Sequence, residues 1–309
     1  MPVMEKVIVT TSIHSPTKAI RLFDAMPDWR LIVIGDKKTP HDMRLDRGIY
    51  MSPEEQEKYD KKLSDLIGWN CIQRRNFGLL LAREMKAEII ALVDDDNIPY
   101  DFWRRDLMIG RRVEVHYWDS GLRVFDPLGA TNTPHLWHRG YPLPLLSKRR
   151  TAVKSKKIVE ADVQADLWNG DPDIDAVCRM EHAPEVEFDP HCFPMAGSKM
   201  APFNSQNTFL RASLLKDYFL FPHIGRMDDI WAAYYLQAKR GARVVFGRAS
   251  VYQARNEHDL IEDMRQEYLG YEKNLSLVQD LSKNPSAIFN YLPERAVEAF
   301  QCYQRHFDV

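Results

Sequence analysis

The sequence lacks the features that mark several large classes of protein. Its 309 residues include only four cysteines, which are far apart and form no CxxC pair, so we expect reduced thiols rather than a zinc site or a disulfide framework. No apolar run approaches the about 18 residues that a membrane span needs, and the first residues show no cleavage pattern. A formal net charge of −2 gives no general attraction to nucleic acid. We therefore expect a cytoplasmic protein with no transmembrane segment and no nucleic-acid partner.

Three common catalytic and nucleotide-binding motifs are missing as well. The sequence has no GxxxxGK[ST] loop, no GxGxxG after a strand and no GxSxG. Their absence disfavours a P-loop phosphotransferase, a Rossmann dinucleotide site and an α/β-hydrolase. What remains is a composition of 45% hydrophobic and 28% charged residues, which is ordinary for a globular protein.

The most informative stretch is Glu88–Pro99, an apolar run that leads directly into Asp94, Asp95 and Asp96. The apolar part predicts a buried parallel strand, and ligands of open α/β sheets bind at the carboxyl ends of such strands. Three adjacent carboxylates repel one another unless a cation lies among them. Oxygen-only ligands suit Mg²⁺ or Mn²⁺, which also take oxygens from a phosphate. A metal–diphosphate site and a solvated acidic turn are both open on this evidence.

A strand–helix–strand pattern opens the chain and predicts a parallel sheet. Lys6–Thr11 and Trp29–Ile34 are apolar, β-branched runs, and a helix is expected from Pro16 between them. A capping box of Ser52 and Glu55 starts a further helix. We predict an α/β fold with a mostly parallel sheet flanked by helices over residues 1–258, followed by a helical extension over residues 259–309.

Charged residues also gather at two predicted helix starts. Arg74 and Arg75 lie in the first turn of one helix, where cations oppose the helix dipole, so their presence suggests an anion to be bound. Asp228 and Asp229 lie in the first turn of another helix. Capping explains one acid there but not two. Solvated arginines and ordinary helix capping remain the alternatives.

Several ordered motifs resemble those of nucleotide-sugar enzymes. The acid triplet after an apolar strand resembles the DxD-type metal site of GT-A glycosyltransferases. Four further blocks resemble those of the reversibly glycosylated polypeptides, the UDP-arabinopyranose mutases: Trp137–Pro142, Trp168–Ala176, Phe193–Met195 and Ile224–Trp231. Four others resemble the STELLO-type glycosyltransferases: Gly35–Pro40, Ser52–Ile67, Arg74–Gly78 and Pro202–Thr208. The two resemblances cover about residues 5 to 275 and imply a GT-A-like, Rossmann-like sheet.

The resemblance implies a donor site at the carboxyl edge of that sheet. Asp94 and Asp96 would contact ribose and a Mn²⁺ or Mg²⁺ ion, with Asp95 between them, and Arg74 would reach the diphosphate. The nucleobase pocket would be lined by residues at the ends of the first two strands, namely Thr10, Thr11 and Asp36. The mutases carry Trp-His where this chain has Tyr252-Gln253, so His258 is expected to replace the late metal ligand.

The resemblance also implies residues near the sugar. Asp228 and Asp229 would act as general base or orient sugar hydroxyls, and Asp171, Asp173 and Asp175 would bind sugar or acceptor hydroxyls. Arg139 stands where the mutases carry their reversibly glycosylated arginine. Because an arginine is always charged and is a poor nucleophile, we expect it to clamp the diphosphate or the sugar.

These observations lead to one main hypothesis and two alternatives. The main hypothesis is a metal-dependent glycosyltransferase that moves a sugar from a nucleotide sugar, expected to be a UDP-sugar, to a saccharide or other hydroxyl acceptor. A UDP-sugar pyranose/furanose mutase would use the same site parts, and a non-catalytic scaffold is the third possibility. An intact acid triplet argues against a scaffold, which has no need of mutually repelling carboxylates. A homo-oligomer is compatible with each of them.

Overall fold

One sheet of eleven strands organises the described part of the chain, which comprises residues 5–41, 43–119, 121–151, 153–253 and 259–308 of a computed structural model. The strands are β1 (Lys6–Ser12), β2 (Arg30–Gly35), β3 (Ile49–Met51), β4 (Ile89–Val93), β5 (Asn97–Pro99), β6 (Arg112–Asp119), β7 (Val153–Glu160), β8 (Val163–Gly170), β9 (Met195–Gly197), β10 (Asn207–Arg211) and β11 (Val244–Gln253). Their order is β3-β2-β1-β4-β10-β8-β11-β9-β6-β7, and β5 pairs with β11.

The amino-terminal part of the sheet is parallel and the rest is mixed. Strands β3, β2, β1 and β4 pair in parallel, while β10 runs antiparallel to both β4 and β8. Strand β11 is parallel to β8 and therefore to β4. The carboxyl ends of β1, β2, β4 and β11 and the amino end of β10 consequently meet at one edge of the sheet.

Helices flank this sheet and confirm the predicted α/β class. They are α1 (Lys18–Asp24), α2 (Pro53–Tyr59), α3 (Lys61–Ile67), α4 (Arg75–Glu84), α5 (Ala176–His182), α6 (Asp228–Arg240), α7 (Leu260–Leu281) and α8 (Glu294–Arg305). Short 3₁₀ helices connect several of them, including Ile72–Arg74 before α4 and Gly225–Met227 before α6. Within the described ranges, none of these helices is both long and apolar enough to cross a bilayer.

Local sequence patterns predict where most helices and strands begin, but the structure corrects two of these predictions. The predicted capping box of Ser52 and Glu55 is present, but the expected single helix is divided into α2 and α3 at Asp60. Asp60 has an extended backbone, and its carboxylate accepts a hydrogen bond from the Leu63 amide at 2.9 Å. It therefore begins a new helix instead of continuing the old one. Helix α1 begins at Lys18, with Thr17 as its amino-terminal cap, and not at the predicted Pro16.

The carboxyl-terminal helices share the hydrophobic core of the sheet. Leu277 of α7 and Phe300 of α8 are completely buried and belong to the same apolar cluster as Val9 of β1 and Leu92 of β4. The predicted boundary at residue 258 lies outside the described residues, and the division of the chain into two units stays a prediction. In the described residues, the helical extension packs as part of the main body.

Candidate active site

A cavity of about 600 Å³ opens at the edge where the strand ends meet. Seven aspartates are among the described residues that line it: Asp36, Asp94, Asp95, Asp96, Asp173, Asp228 and Asp229. Three arginines line it as well: Arg75, Arg139 and Arg226. Since the carboxylates outnumber the guanidinium groups, the described lining favours the binding of a cation or of a ligand that brings one.

Three different groups hold the acid triplet that follows β4. Arg75 Nη2 donates to Asp94 Oδ1 at 2.9 Å, and Ser12 Oγ donates to Asp95 Oδ2 at 2.5 Å. Gln253 Nε2 donates to Asp96 Oδ2 at 2.9 Å. Burial and the neighbouring Asp94 charge raise the pKa of Asp95, although the Ser12 hydrogen bond opposes this rise. The triplet is therefore a built, half-buried turn rather than a fully solvated one.

The donor chemistry of this turn fits a hard divalent ion. All of its side-chain ligands are carboxylate oxygens, and all three side chains line the cavity. No three His, Cys, Asp or Glu side chains of the described residues converge closely enough to form a metal site by themselves. An ion bound here would therefore take further oxygens from its substrate. The predicted ligand His258 lies outside the described residues.

Arg75, and not the predicted Arg74, faces the cavity. Arg74 is fully buried, and its guanidinium donates to Gln56 Oε1 at 2.7 Å and to Ser64 Oγ at 3.1 Å. It also stacks on Trp69, with 3.7 Å from Cζ to the ring centroid. Burial lowers the pKa of Arg74 to about 10. The prediction that Arg74 reaches the diphosphate is wrong in position, because the 3₁₀ turn before α4 directs that side chain into the α2–α3 region.

The predicted nucleobase residues separate into two lining positions and one buried position. Thr11 lines the cavity, whereas Thr10 is buried and its hydroxyl donates to the Thr11 carbonyl at 3.3 Å. The Asp36 carboxylate follows β2 and accepts from the backbone amides of Asn70 at 2.9 Å and Cys71 at 3.2 Å. Asp36 thereby fixes the loop that forms one wall of the cavity.

Arg139 lies at the centre of the acids on the opposite wall. Its Nε donates to the two Asp173 oxygens at 2.9 and 3.1 Å, and its Nη2 donates to Asp229 Oδ1 at 3.2 Å. Nη1 donates to the carbonyl of Arg226. Burial by itself would lower the pKa of Arg139, but Asp173 and Asp229 more than compensate and the pKa lies well above its ordinary value. The guanidinium is therefore permanently charged and clamps two carboxylates.

Asp228 differs from Asp229 in its environment. Ser205 donates to Asp229 Oδ2 through its backbone amide at 2.9 Å and its hydroxyl at 3.1 Å. Asp228 accepts from Gln73 Nε2 at 2.6 Å. Burial, and then the charge of Asp229, raise the pKa of Asp228 to about 8. A carboxyl group with a pKa near neutrality can accept or release a proton at a reacting hydroxyl.

Two of the three acids predicted to bind sugar hydroxyls have structural partners instead. Asp173 lines the cavity, but Asp171 and Asp175 do not. Asp171 forms an ion pair with Arg179. Asp175 is the amino-terminal cap of α5, where it accepts from the Cys178 amide at 2.9 Å. The prediction that Asp171 and Asp175 bind hydroxyls is wrong, because an ion pair and helix capping use these carboxylates.

A bridge of amide side chains connects the acid clusters and was not predicted. Asn204 Nδ2 donates to Asp173 Oδ2 at 2.7 Å and to Gln206 Oε1 at 3.1 Å. Gln206 donates to Gln253, which in turn holds Asp96. The block Pro202–Thr208 contains amide residues of this bridge, but amides are uncharged and therefore form no charge pattern that predicts a site.

The amide bridge completes a ring of hydrogen bonds around the cavity, which the backbone of the acid triplet closes between Asp96 and Asp94. Beyond Asp173 the ring continues through Arg139, Asp229 and Ser205 to Arg75, whose Nη1 donates to the Ser205 carbonyl at 2.5 Å. Arg75 then returns to the acid triplet at Asp94. Each of the three acid clusters predicted from the sequence thus contributes at least one carboxylate to this network, namely Asp94 and Asp96, Asp173, and Asp229, and the network restricts the movement of these side chains.

Two glycines allow the loops of this ring to pack closely. Gly140 has φ +86°, and a Cβ there would lie 2.3 Å from Ile230 of α6. Gly225 has φ +59°, and a Cβ there would lie 2.2 Å from the Gln266 carbonyl of α7. Helix α7 also supplies Glu267, which accepts from Arg226 Nε at 2.8 Å. The helical extension therefore supports one wall of the site.

Comparisons with known proteins agree with part of the sequence resemblance. No family model matches the chain. The probable glycosyltransferases STELLO2 and STELLO1 of Arabidopsis thaliana are 22% identical over 253 residues and 25% identical over 256 residues. Each match covers 75% of this chain and 33% of the relative, so the chain spans about a third of the length of these proteins. The predicted similarity to STELLO proteins is confirmed, and the resemblance to the mutases stays a prediction.

Solved structures give weaker matches. Glucosyl-3-phosphoglycerate synthase from Mycobacterium tuberculosis, in complex with Mn²⁺, UDP-glucose and phosphoglyceric acid, is 13% identical with a TM-score of 0.48. The alignment covers 89% of this chain and 80% of that one. Another structure of the same synthase gives a TM-score of 0.44. At this level of similarity, function has to come from the geometry of the site.

Proposed function

We propose that this chain is a metal-dependent glycosyltransferase that uses a nucleotide sugar, with a UDP-sugar as the favoured donor. The observation that carries the proposal is the single cavity in which the acid triplet after β4, the Arg139 clamp and the pair Asp228 and Asp229 face one another. The similarity to proteins named as probable glycosyltransferases supports the same reading.

Asp94 and Asp96 would hold the Mn²⁺ or Mg²⁺ ion. When bound, the ion would stabilise the negative charge that develops on the diphosphate leaving group. Arg75 is the arginine placed to assist, because it lines the cavity and already contacts Asp94. A fixed cation beside a leaving phosphate lowers the barrier without having to reorganise during the reaction. Thr11 and Asp36 lie on the same side of the cavity and would face the nucleoside.

At the other wall the residues suit the sugar and its acceptor. Arg139 fixes Asp173 and Asp229 at the wall of the cavity, where carboxylates would orient the hydroxyls of a bound sugar. Asp228, with its raised pKa, is the candidate to take the proton of an acceptor hydroxyl as the new glycosidic bond forms. A saccharide or other hydroxyl compound is therefore the proposed acceptor class.

The same contacts disfavour the mutase alternative in its covalent form. A glycosylated arginine needs a free nitrogen with nucleophilic character, whereas the Arg139 guanidinium is charged and donates to Asp173, Asp229 and a backbone carbonyl. We therefore assign Arg139 as a clamp. Cytoplasmic location and homo-oligomer formation stay predictions.

The proposal is tested by incubating the purified protein with a panel of nucleotide sugars and Mn²⁺ while following both free UDP and the ring form of the sugar. We expect UDP release, faster with an acceptor, and its loss in Asp96→Asn. Asp101→Asn is the matched control, because Asp101 is an exposed aspartate five residues further along the chain. Ring interconversion without UDP release would make the protein a mutase. No UDP binding and no turnover would favour the scaffold.

A further inference from the structure

Accessible aromatic side chains lie together where β5 pairs with β11. Tyr252 of β11 is 38% exposed, and the half-buried Tyr100 directly follows β5, with its amide donating to the Ser250 carbonyl at 3.0 Å. Tyr252 stands opposite Ile98, two residues before Tyr100. The two tyrosines therefore leave the same face of the sheet as diagonal neighbours of an antiparallel pair.

Phe102 extends this group into a row. It stacks on Tyr100, with 5.6 Å between the ring centroids and 26° between the ring planes. Arg248 lies over Phe102, with 3.8 Å from Cζ to the ring centroid, and its Nε donates to Asp106 Oδ2 at 2.9 Å. We call Tyr252, Tyr100 and Phe102 the aromatic row. Because diagonal strand neighbours are about 7–8 Å apart, the row is longer than one sugar ring.

Polar groups accompany the rings of the aromatic row. The Tyr252 hydroxyl donates to the exposed Glu185 at 3.2 Å, and Asn169 Nδ2 donates to the Tyr100 hydroxyl at 3.2 Å. Carboxylate, amide and phenol groups together accept and donate hydrogen bonds. Arg248, the cation that contacts the row, already has a carboxylate partner. The row therefore suits a neutral ligand rich in hydroxyls better than the phosphates of a nucleic acid or a membrane.

The aromatic row begins one residue from the first cavity. Gln253 follows Tyr252, lines that cavity and donates to Asp96 Oδ2 at 2.9 Å. Gly170 ends the neighbouring strand β8, and a Cβ there would lie 3.0 Å from Tyr252 Cε2. The absence of a side chain at Gly170 thus lets the Tyr252 ring pack against the end of β8. Tyr252 itself is outside the described lining, so a ligand longer than the cavity would reach it.

We propose that the aromatic row binds a saccharide chain whose terminal unit enters the first cavity as the acceptor. This inference rests on the proposed function and narrows the acceptor from any hydroxyl compound to a chain of more than one sugar. The C–H faces of the sugar rings pack on the accessible surface of Tyr252 and Tyr100, and the sugar hydroxyls exchange hydrogen bonds with Glu185 and Asn169.

The test is calorimetric titration of the full chain, without donor, with cellotetraose, xylotetraose, maltotetraose and mannotetraose and with the corresponding monosaccharides. We expect at least one tetrasaccharide to bind, and to bind more tightly than its monosaccharide. Tyr252→Ala should raise its Kd about tenfold, equivalent to about 1.4 kcal/mol, whereas Tyr252→Phe keeps the ring and should bind as wild type does. Tyr268→Ala is the matched control, since Tyr268 of α7 is 64% exposed and lies outside the row.

Four results would overturn the proposal. The first is absence of binding by every tetrasaccharide, and the second is equal binding of a tetrasaccharide and its monosaccharide. The third is a Kd that Tyr252→Ala leaves unchanged or that Tyr268→Ala raises equally, which would place the sugar elsewhere. The fourth is loss of a dimer in Tyr252→Ala without a change in Kd, followed by sedimentation, which would make the row a contact between copies.

The donor site is measured separately in the same samples. UDP release in the absence of any acceptor depends on the first cavity, and Tyr252→Ala should leave it unchanged. Saccharide binding without UDP release would contradict the proposed function alone, and UDP release without saccharide binding would contradict the aromatic row alone.

Discussion

Replacing Arg139 by methionine removes the cation that two buried carboxylates share. Asp173 and Asp229 are each 3% exposed at the side chain, and Arg139 is 8% exposed. Removing one partner from a buried ion pair costs about 3–5 kcal/mol, because a charge is left buried without compensation. At about 2 °C per kcal/mol for a large domain, we expect the Tm to fall by about 6–10 °C.

The fall in Tm caused by Arg139→Met should also depend on pH, and this dependence is the stricter test of the ion pair. Without Arg139, its charge no longer compensates the burial of the two carboxylates, so burial favours a neutral form of such groups. Stability contributed by such groups is complete below the unfolded pKa and is lost as the pH rises through the folded pKa. The difference in Tm between Arg139→Met and wild type should therefore be larger at pH 8 than at pH 5.

Thermal unfolding at the two pH values provides the assay, and Arg248→Met provides the control. Arg248 pairs with Asp106 in solvent, with side-chain exposures of 42% and 48%, so its removal should change stability by less than about 1 kcal/mol. A loss for Arg139→Met that is no larger than that of Arg248→Met would refute the clamp. A loss that is equal at pH 5 and pH 8 would refute its electrostatic origin.

Three further substitutions test separate parts of the site. Arg75→Met should raise the Kd for UDP about 10–100-fold, as expected for lost charge-assisted hydrogen bonds. Arg74→Met should lower the Tm with little effect on UDP titrations. Equal effects of the two substitutions on the Kd would contradict the assignment of Arg75, and not Arg74, to the diphosphate. Gly225→Ala should destabilise the protein by more than about 2 kcal/mol. Gly241→Ala, with φ +60° and open space around its Cβ position, should destabilise it by only about 1 kcal/mol. Denaturant unfolding compares the two variants, and similar losses of stability would exclude the close approach of Gly225 to the Gln266 carbonyl. Asp228 has a folded pKa raised to about 8, so its contribution to stability is complete below its unfolded pKa of about 4 and is lost as the pH rises to about 8. Wild type should therefore lose stability between about pH 5 and pH 8 while Asp228→Asn loses less, and parallel Tm curves would refute the raised pKa.

The features that the sequence predicted are those encoded within a few neighbouring residues. The capping box of Ser52 and Glu55, the strand before Asp94 and the α/β class all follow from local patterns and are present. The gathering of several acids at one sheet edge followed from topology, because strands that pair in parallel have their carboxyl ends on the same side.

The errors concern the direction of side chains over one or two residues. Arg74 and Arg75 have the same chemistry, and only the 3₁₀ turn at Ile72–Arg74 decides which of them faces the cavity. Asp173 and Asp175 lie two residues apart, yet one lines the cavity and the other caps α5. The order of charged residues along the chain does not show in which direction each side chain points. The amide bridge could not be predicted for a related reason, since it connects Asn204 and Gln206 to Asp173 and Gln253, which are distant in sequence.

The support that α7 gives to the Gly225 loop has a consequence for synthesis. Asp96 leaves the ribosome long before Glu267, and at about 5–20 residues per second the interval between them is about 10–30 s. During that time the wall formed by Arg226 lacks its Glu267 contact, which is 2.8 Å long in the finished protein. The acid-rich edge can therefore be completed only late in translation. Until then Arg226 lacks the buried carboxylate that holds its side chain in the wall.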